Sequence, residues 1–224
     1  MTDISEWKLM RDLDKTLFIE ANFKVNGRGG PRRSIYGVGV NDADFCTQPT
    51  ISGKIAICPA YDAWQGVIRR CYSSKLHAKR PTYVGVTACK EWRSFMNFRA
   101  WWIENQVDGW HLDKDILSDD GVYSPETCIY VPQWLNSFIN ENALARGCYP
   151  IGASFHKRVG KFSSNCSNPS TGRREHVGYF DTPENAHKAW RARKLEIALE
   201  LKPQMDGIDI RIYQRVVEII RRSK

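Results

Sequence analysis

Two sets of side chains in this 224-residue chain have the types and spacing to do chemistry. The first lies in LDKDILSDDGVYSPETC, residues 112–128. Asp113 and Asp115 offer hard carboxylate oxygens, the kind that hold magnesium or manganese beside a phosphodiester. Lys114 lies between them and suits the neutralising of phosphate charge. Its neighbouring acids stabilise the ammonium and so oppose a role as proton acceptor. The same three residues also suit a surface ion pair on a hairpin. The second set is four cysteines, Cys58, Cys71, Cys89 and Cys128, separated by 12, 17 and 38 residues. Thiolates are zinc ligands, but no CxxC pair is present. Spacing alone leaves buried, unligated thiols as the default. Cys46, Cys148 and Cys166 read as ordinary thiols.

A third set suits binding rather than catalysis. The chain carries 33 basic and 25 acidic residues, a net charge of +8. That excess favours a polyanionic partner, nucleic acid first. Residues 147–202 hold ten of the basic residues and five of the acidic ones, more than half of the excess. In KFSSNCS, alternation puts Phe162, Ser164 and Cys166 on one side, and Lys161, Ser163 and Asn165 on the other. Lys157, Arg158, Arg173 and Arg174 lie close by in sequence. Basic and short polar side chains interleaved on a flat face suit double-stranded DNA. A charged face that is simply solvated is the other reading of the same pattern.

These residues need elements to position them. EWKLMRDLDKTLF and PAYDAWQGVIRRCY have apolar residues at helical spacing, and IYGVGV reads as a strand after a basic, glycine-rich loop. SSKLHAKRPTY reads as a basic loop. SFMNFRAWWIENQ reads as a helix capped by Ser94, and PQWLNSFINEN as a helix starting at Pro132. IGASFHK, KFSSNCS and EHVGYFD predict three strands. Thr182 and Pro183 then open a helix with a stripe of Ala186, Ala189, Trp190, Arg193, Ile197 and Leu201. Three strands and one helix bury their apolar faces only if the helix lies across the sheet. A last helix follows at 203–224. RGCYP, residues 146–150, reads as a domain boundary. The aromatic content of 12% supports packed cores. No apolar run approaches the roughly 20 residues of a membrane span, and the charged N-terminus does not read as a signal peptide. The expectation is a soluble, cytoplasmic protein.

The blocks CPAYDAWQGVIRRCY, PTYVGVTACKEWRSFMNFRAWW, LDKDIL and YSPETCIYVP resemble phage-borne HNH homing-type endonucleases. PIGASFHK and HVGYFDTPENAHKAW resemble the AP2/ERF-type DNA-binding domain that often follows the nuclease in that family. The likeness runs from Cys58 to the C-terminus in matching order and spacing. It implies an α+β protein: a ββα-metal nuclease over 55–146 and a three-stranded-sheet-plus-helix domain over 147–202. Residues 1–54 form an extension and 203–224 a C-terminal helix. It implies metal-dependent hydrolysis of DNA in a bacterial host, at a site chosen by the second domain. The family's metal-binding acid matches Asp113, and an asparagine in its helix matches Asn136. Lys114 stands where the family has His or Arg. Thr127 stands where PEN-Cys has its metal-side asparagine. The chain thus lacks both that histidine and that asparagine, with His111 the only histidine nearby. The likeness also favours a structural zinc on Cys58, Cys71, Cys89 and Cys128. The alternative is a sequence-specific DNA-binding or regulatory protein on an inactive HNH scaffold.

Overall fold

PAYDAWQGVIRRCY forms the helix on which the first half of the chain is built. The computed structural model describes residues 4–25, 33–139 and 148–223. In it the chain divides into two compact units, Met1–Tyr130 and Val131–Lys224. Both mix helices with strands, and the protein is of mixed α and β class.

The first unit begins with α1 (Ile4–Leu9) and α2 (Asp12–Asn22). The β1 (Thr50–Ile51) and β2 (Lys54–Ile55) pair forms a small antiparallel hairpin. Helix α3 (Pro59–Tyr72) follows, with proline at its start, where the missing N–H costs nothing. Its Tyr61, Trp64, Val67, Ile68 and Cys71 are buried. Trp64 donates its indole N–H to the Trp92 carbonyl at 2.8 Å, which satisfies the one polar atom of a fully buried ring. Helix α5 (Phe95–Asn105) starts at Ser94, whose hydroxyl accepts the Asn97 amide. Phe95 packs edge-on to Tyr61 with centroids 5.2 Å apart. Each such buried side chain contributes about 1.5–3 kcal/mol relative to exposure.

Short strands carry the candidate hairpin. β3 (Thr87–Ala88) pairs in parallel with β5 (Val122–Tyr123), and β4 (His111–Asp113) pairs with β6 (Ile129–Val131).

Two sequence expectations need correcting here. IYGVGV is a turn, with Ile35 bridged to Gly39 and Val40 to Ser94, not a strand. Close approach explains it: a Cβ on Gly39 would lie 3.0 Å from the Trp64 ring. SSKLHAKRPTY is not a plain loop either. It holds α4 (Ser74–Lys79), capped by the Ser73 hydroxyl, and a 3-10 turn at Pro81–Tyr83. The glycine-rich segment 26–32 and the Arg146–Gly147 part of the RGCYP boundary lie outside the described residues.

The second unit opens with α6 (Gln133–Ile139). An antiparallel sheet follows, β7 (Ala153–His156), β8 (Lys161–Asn168) and β9 (Arg173–Phe180), in chain order. Helix α7 (Pro183–Glu200) packs on all three strands. Its Ala186, Trp190, Ile197 and Ala198 are buried, as is Leu201 at its C-cap. Thr182 caps it by accepting the Asn185 amide. Lys194 is also buried, its ammonium 4.0 Å from the Phe138 ring centroid on α6. That contact ties α6 into this unit. The C-terminal stretch forms two helices, α8 (Lys202–Asp206) and α9 (Ile212–Arg222), and α9 buries Ile212, Val216, Val217 and Ile220. His187 has Nδ1 2.7 Å from the Ile151 carbonyl, so that nitrogen carries the proton. Its Nε2 then accepts from Arg191, which also donates to the Ser223 carbonyl.

Candidate functional site

Two places collect the residues singled out in the sequence. One is the hairpin of the first unit. β4 ends in Asp113, and the chain turns at once. Asp113 Oδ1 accepts the amides of Asp115, at 2.7 Å, and Ile116, at 3.0 Å. An aspartate oxygen that takes two successive N–H groups is a turn-forming device. Burial pushes its carboxyl up, while those two amides pull it down. Lys114 is only 7% exposed; its ammonium pairs with Asp115 and lies 5.7 Å from the Tyr123 ring centroid. Thr127 Oγ1 donates to the Val122 carbonyl at 2.6 Å and accepts the Ser124 amide at 3.1 Å. So Asp113 and Thr127 both fold the chain around the hairpin. Asn136 lies on α6 in the second unit, partly buried. His111 is exposed at the start of β4.

The metal expectations fare differently from the hairpin itself. Among the described residues no three His, Cys, Asp or Glu side chains come together to hold a metal ion. Asp113 gives one oxygen to the backbone, and Asp115 pairs with Lys114. The four cysteines do not converge as zinc ligands. Cys58 sits against the Thr16 hydroxyl of α2, with Sγ 3.8 Å from Oγ1. Cys71 lies in the last turn of α3, Cys89 follows β3 and Cys128 precedes β6. Burial pushes all four thiols up, Cys71 and Cys128 to about 12.

The other place is the open face of the β7–β9 sheet. Register puts Ser154, Ser163 and Tyr179 side by side, then Asn165 beside His176, then Ser167 beside Arg174. Lys161 and His156 pair at the near end. These side chains share the face away from α7. On the helix side, Ser164, Cys166 and Asn168 are buried, and Glu175 pairs with Arg193 of α7 at 2.8 Å. The alternation expected for KFSSNCS holds in the pairing register, although Ser163 of the other face is buried as well.

The open face is ordered by its own hydrogen bonds. Asn165 donates to Ser163 Oγ at 2.9 Å. His176 Nδ1 lies 3.3 Å from Asn165 Oδ1 and 3.4 Å from Ser163 Oγ. The Tyr179 ring stands 4.6 Å from that of His176 and 5.4 Å from that of His156. Lys161 reaches Asp181 at 2.9 Å. Lys157 and Arg158 are exposed in the β7–β8 turn. Arg173 and Arg174 separate: Arg174 is on the open face, whereas Arg173 stands opposite Asn168 on the helix side.

His156, His176 and Tyr179 went unremarked in the sequence. Strict alternation puts His176 and Tyr179 on opposite faces. The register shift between Ser164 and Asn165 leaves Val177 unpaired and brings both to the same face. Nothing in EHVGYFD announces that bulge except its glycine.

No family model matches the sequence, no curated protein matches it, and no solved structure matches the fold.

Proposed function

We propose that this chain binds double-stranded DNA through the open face of the β7–β9 sheet. The observation that carries this reading is the segregation of charge across the sheet. Lys161 and Arg174 share the open face with His156, His176 and Tyr179, while Glu175 is turned to the helix side and paired with Arg193. A flat face of cations and short polar groups suits a groove lined by phosphates. The bonds among Ser163, Asn165 and His176 fix these side chains before any partner arrives, which lowers the ordering cost of binding. With both amide ends engaged, Asn165 serves to hold His176. Tyr179 and Arg174 are left as the groups that meet bases or backbone. The test is fluorescence anisotropy with duplex DNA over a range of salt. Binding that weakens linearly in log–log form, and is lost on replacing Tyr179 and Arg174 together, supports the reading. Salt-independent or absent binding removes it.

A second reading, metal-dependent DNA hydrolysis of the HNH type, has one observation in its favour. Asp113 ends β4, β4 pairs with β6, and α6 follows in the chain, the strand–strand–helix order such a site uses. Against it stands the use of Asp113 and Thr127 in local turns. Plasmid nicking with magnesium or manganese, lost in Asp113→Asn, would favour hydrolysis. Gel shifts without nicking across metals and targets leave the DNA-binding reading alone.

A further inference from the structure

The ring of Tyr123 carries two cations. Arg70, in the last turn of α3, has its guanidinium carbon 5.2 Å from the ring centroid, and the Lys114 ammonium lies 5.7 Å from it. Tyr123 itself is buried, 4% exposed. Two cations on one ring repel each other unless negative charge is near. Lys114 has the exposed carboxylate of Asp115. Arg70 has none: among the described residues no carboxylate pairs with it, and its Nε is buried without a hydrogen-bond partner.

Four acidic groups sense the Arg70 charge: Cys71, Tyr123, Cys128 and Tyr130. Burial pushes each of them up, with Arg70 pulling the other way. The two thiols reach about 12, so they are neutral near pH 7 and provide no counter-charge. The carboxylate of Asp113 is engaged by two backbone amides. The half-buried guanidinium of Arg70 shares its ring with a second cation and has no carboxylate paired with it among the described residues. A planar fork of donors matches two oxygens of a tetrahedral oxyanion, and a nearby ammonium adds a point charge.

We propose that Arg70, which shares the Tyr123 ring with Lys114, is a binding site for a phosphate group. Asp115 sits at its rim and competes with the incoming anion for Lys114. The site lies wholly in the first unit and does not depend on the sheet reading. Its phosphate comes either free or as part of a nucleic-acid backbone.

The experiment is titration of the full chain with inorganic phosphate, followed by calorimetry, against chloride at equal ionic strength. Saturable phosphate binding is expected in the parent. Arg70→Gln should weaken it by about tenfold or more, as loss of a charge-assisted pair would. Asp115→Asn should strengthen it by removing the competing carboxylate. Arg70→Lys, which keeps the charge but not the fork, should fall between, and it replaces Arg70→Gln if circular dichroism shows that variant unfolded. Duplex DNA that displaces phosphate identifies the backbone as the source; phosphate binding undisturbed by DNA identifies the free anion. No saturable binding in the parent overturns the proposal, and so does equal affinity in the Arg70 variants.

Discussion

Asp113 Oδ1 receives the backbone amide of Ile116 at 3.0 Å, inside a turn that hides the carboxyl from solvent. That relationship gives the acid a structural duty with a definite pH signature. Burial raises its pKa from the ordinary 3.8, so the ionised form costs the folded state. The cost is absent in acid, where the carboxyl is protonated both folded and unfolded. It is fully present above the raised folded value. Asp113→Asn keeps the accepting oxygen and removes the charge. It should be as stable as the parent or more so near pH 7, with any advantage fading as pH falls toward 3.8. Asp113→Ala strands the amides and should cost about 1–3 kcal/mol. Urea unfolding across pH measures both.

Arg174 and Arg173 are neighbours in sequence but not in space. Arg174→Gln should weaken DNA binding and lower the salt slope by about one, the signature of one lost phosphate contact. Arg173→Gln should leave the slope closer to that of the parent, because its register position is on the helix side. Equal losses from the two changes would show that binding does not respect the faces of the sheet.

Gly152 stands at φ +80°, and a Cβ there would lie 2.1 Å from Cγ of Trp190. Trp190 is buried under the sheet and has no room to retreat. Gly152→Ala should therefore cost about 3 kcal/mol or more, combining left-handed strain with overpacking. Gly172→Ala makes the comparison: it has a similar φ of +65° but nothing within 4 Å. Its loss should be nearer 1 kcal/mol. Thermal unfolding of the two variants separates packing from backbone strain.

Cys46 and Cys148 are exposed, whereas Cys58, Cys71, Cys128 and Cys166 are buried. A thiol reagent should label the exposed pair in the folded protein and the buried four only in denaturant. Burial also disfavours the reactive thiolate at Cys58, Cys71 and Cys128. Chelator should not change the pattern. If it unmasked Cys58, Cys71, Cys89 and Cys128 together, the zinc arrangement would be restored.

The parts legible in the sequence are those fixed by one repeated rule. Trp64, Ile68 and Cys71 fall at helical spacing and are buried. Phe162, Ser164 and Cys166 alternate, and the latter two are buried against α7. Thr182 and Pro183 announce a helix start and occupy one. What stayed hidden depends on contacts distant in the chain. Lys114 looks like a surface charge in LDKD, yet it is buried, with its ammonium 5.7 Å from the Tyr123 ring centroid. IYGVGV has the composition of a strand but no partner strand, because Trp64 and Arg93 decide its path. Arg70 looks like a solvated helix residue until Tyr123 is placed beneath it.

The unpaired Val177 has a consequence for how this surface can change. In a strand, parity of position decides which way a residue looks, and the chain carries that parity from one end to the other. Val177 resets it partway, so His176 and Tyr179 look outward together although three positions separate them. Pairing Val177 into the ladder, with the bulge lost, would leave every side chain its identity yet turn one end of β9 inside out. The ring neighbouring His176 would then point at α7, and Phe180 would face the solvent in its stead.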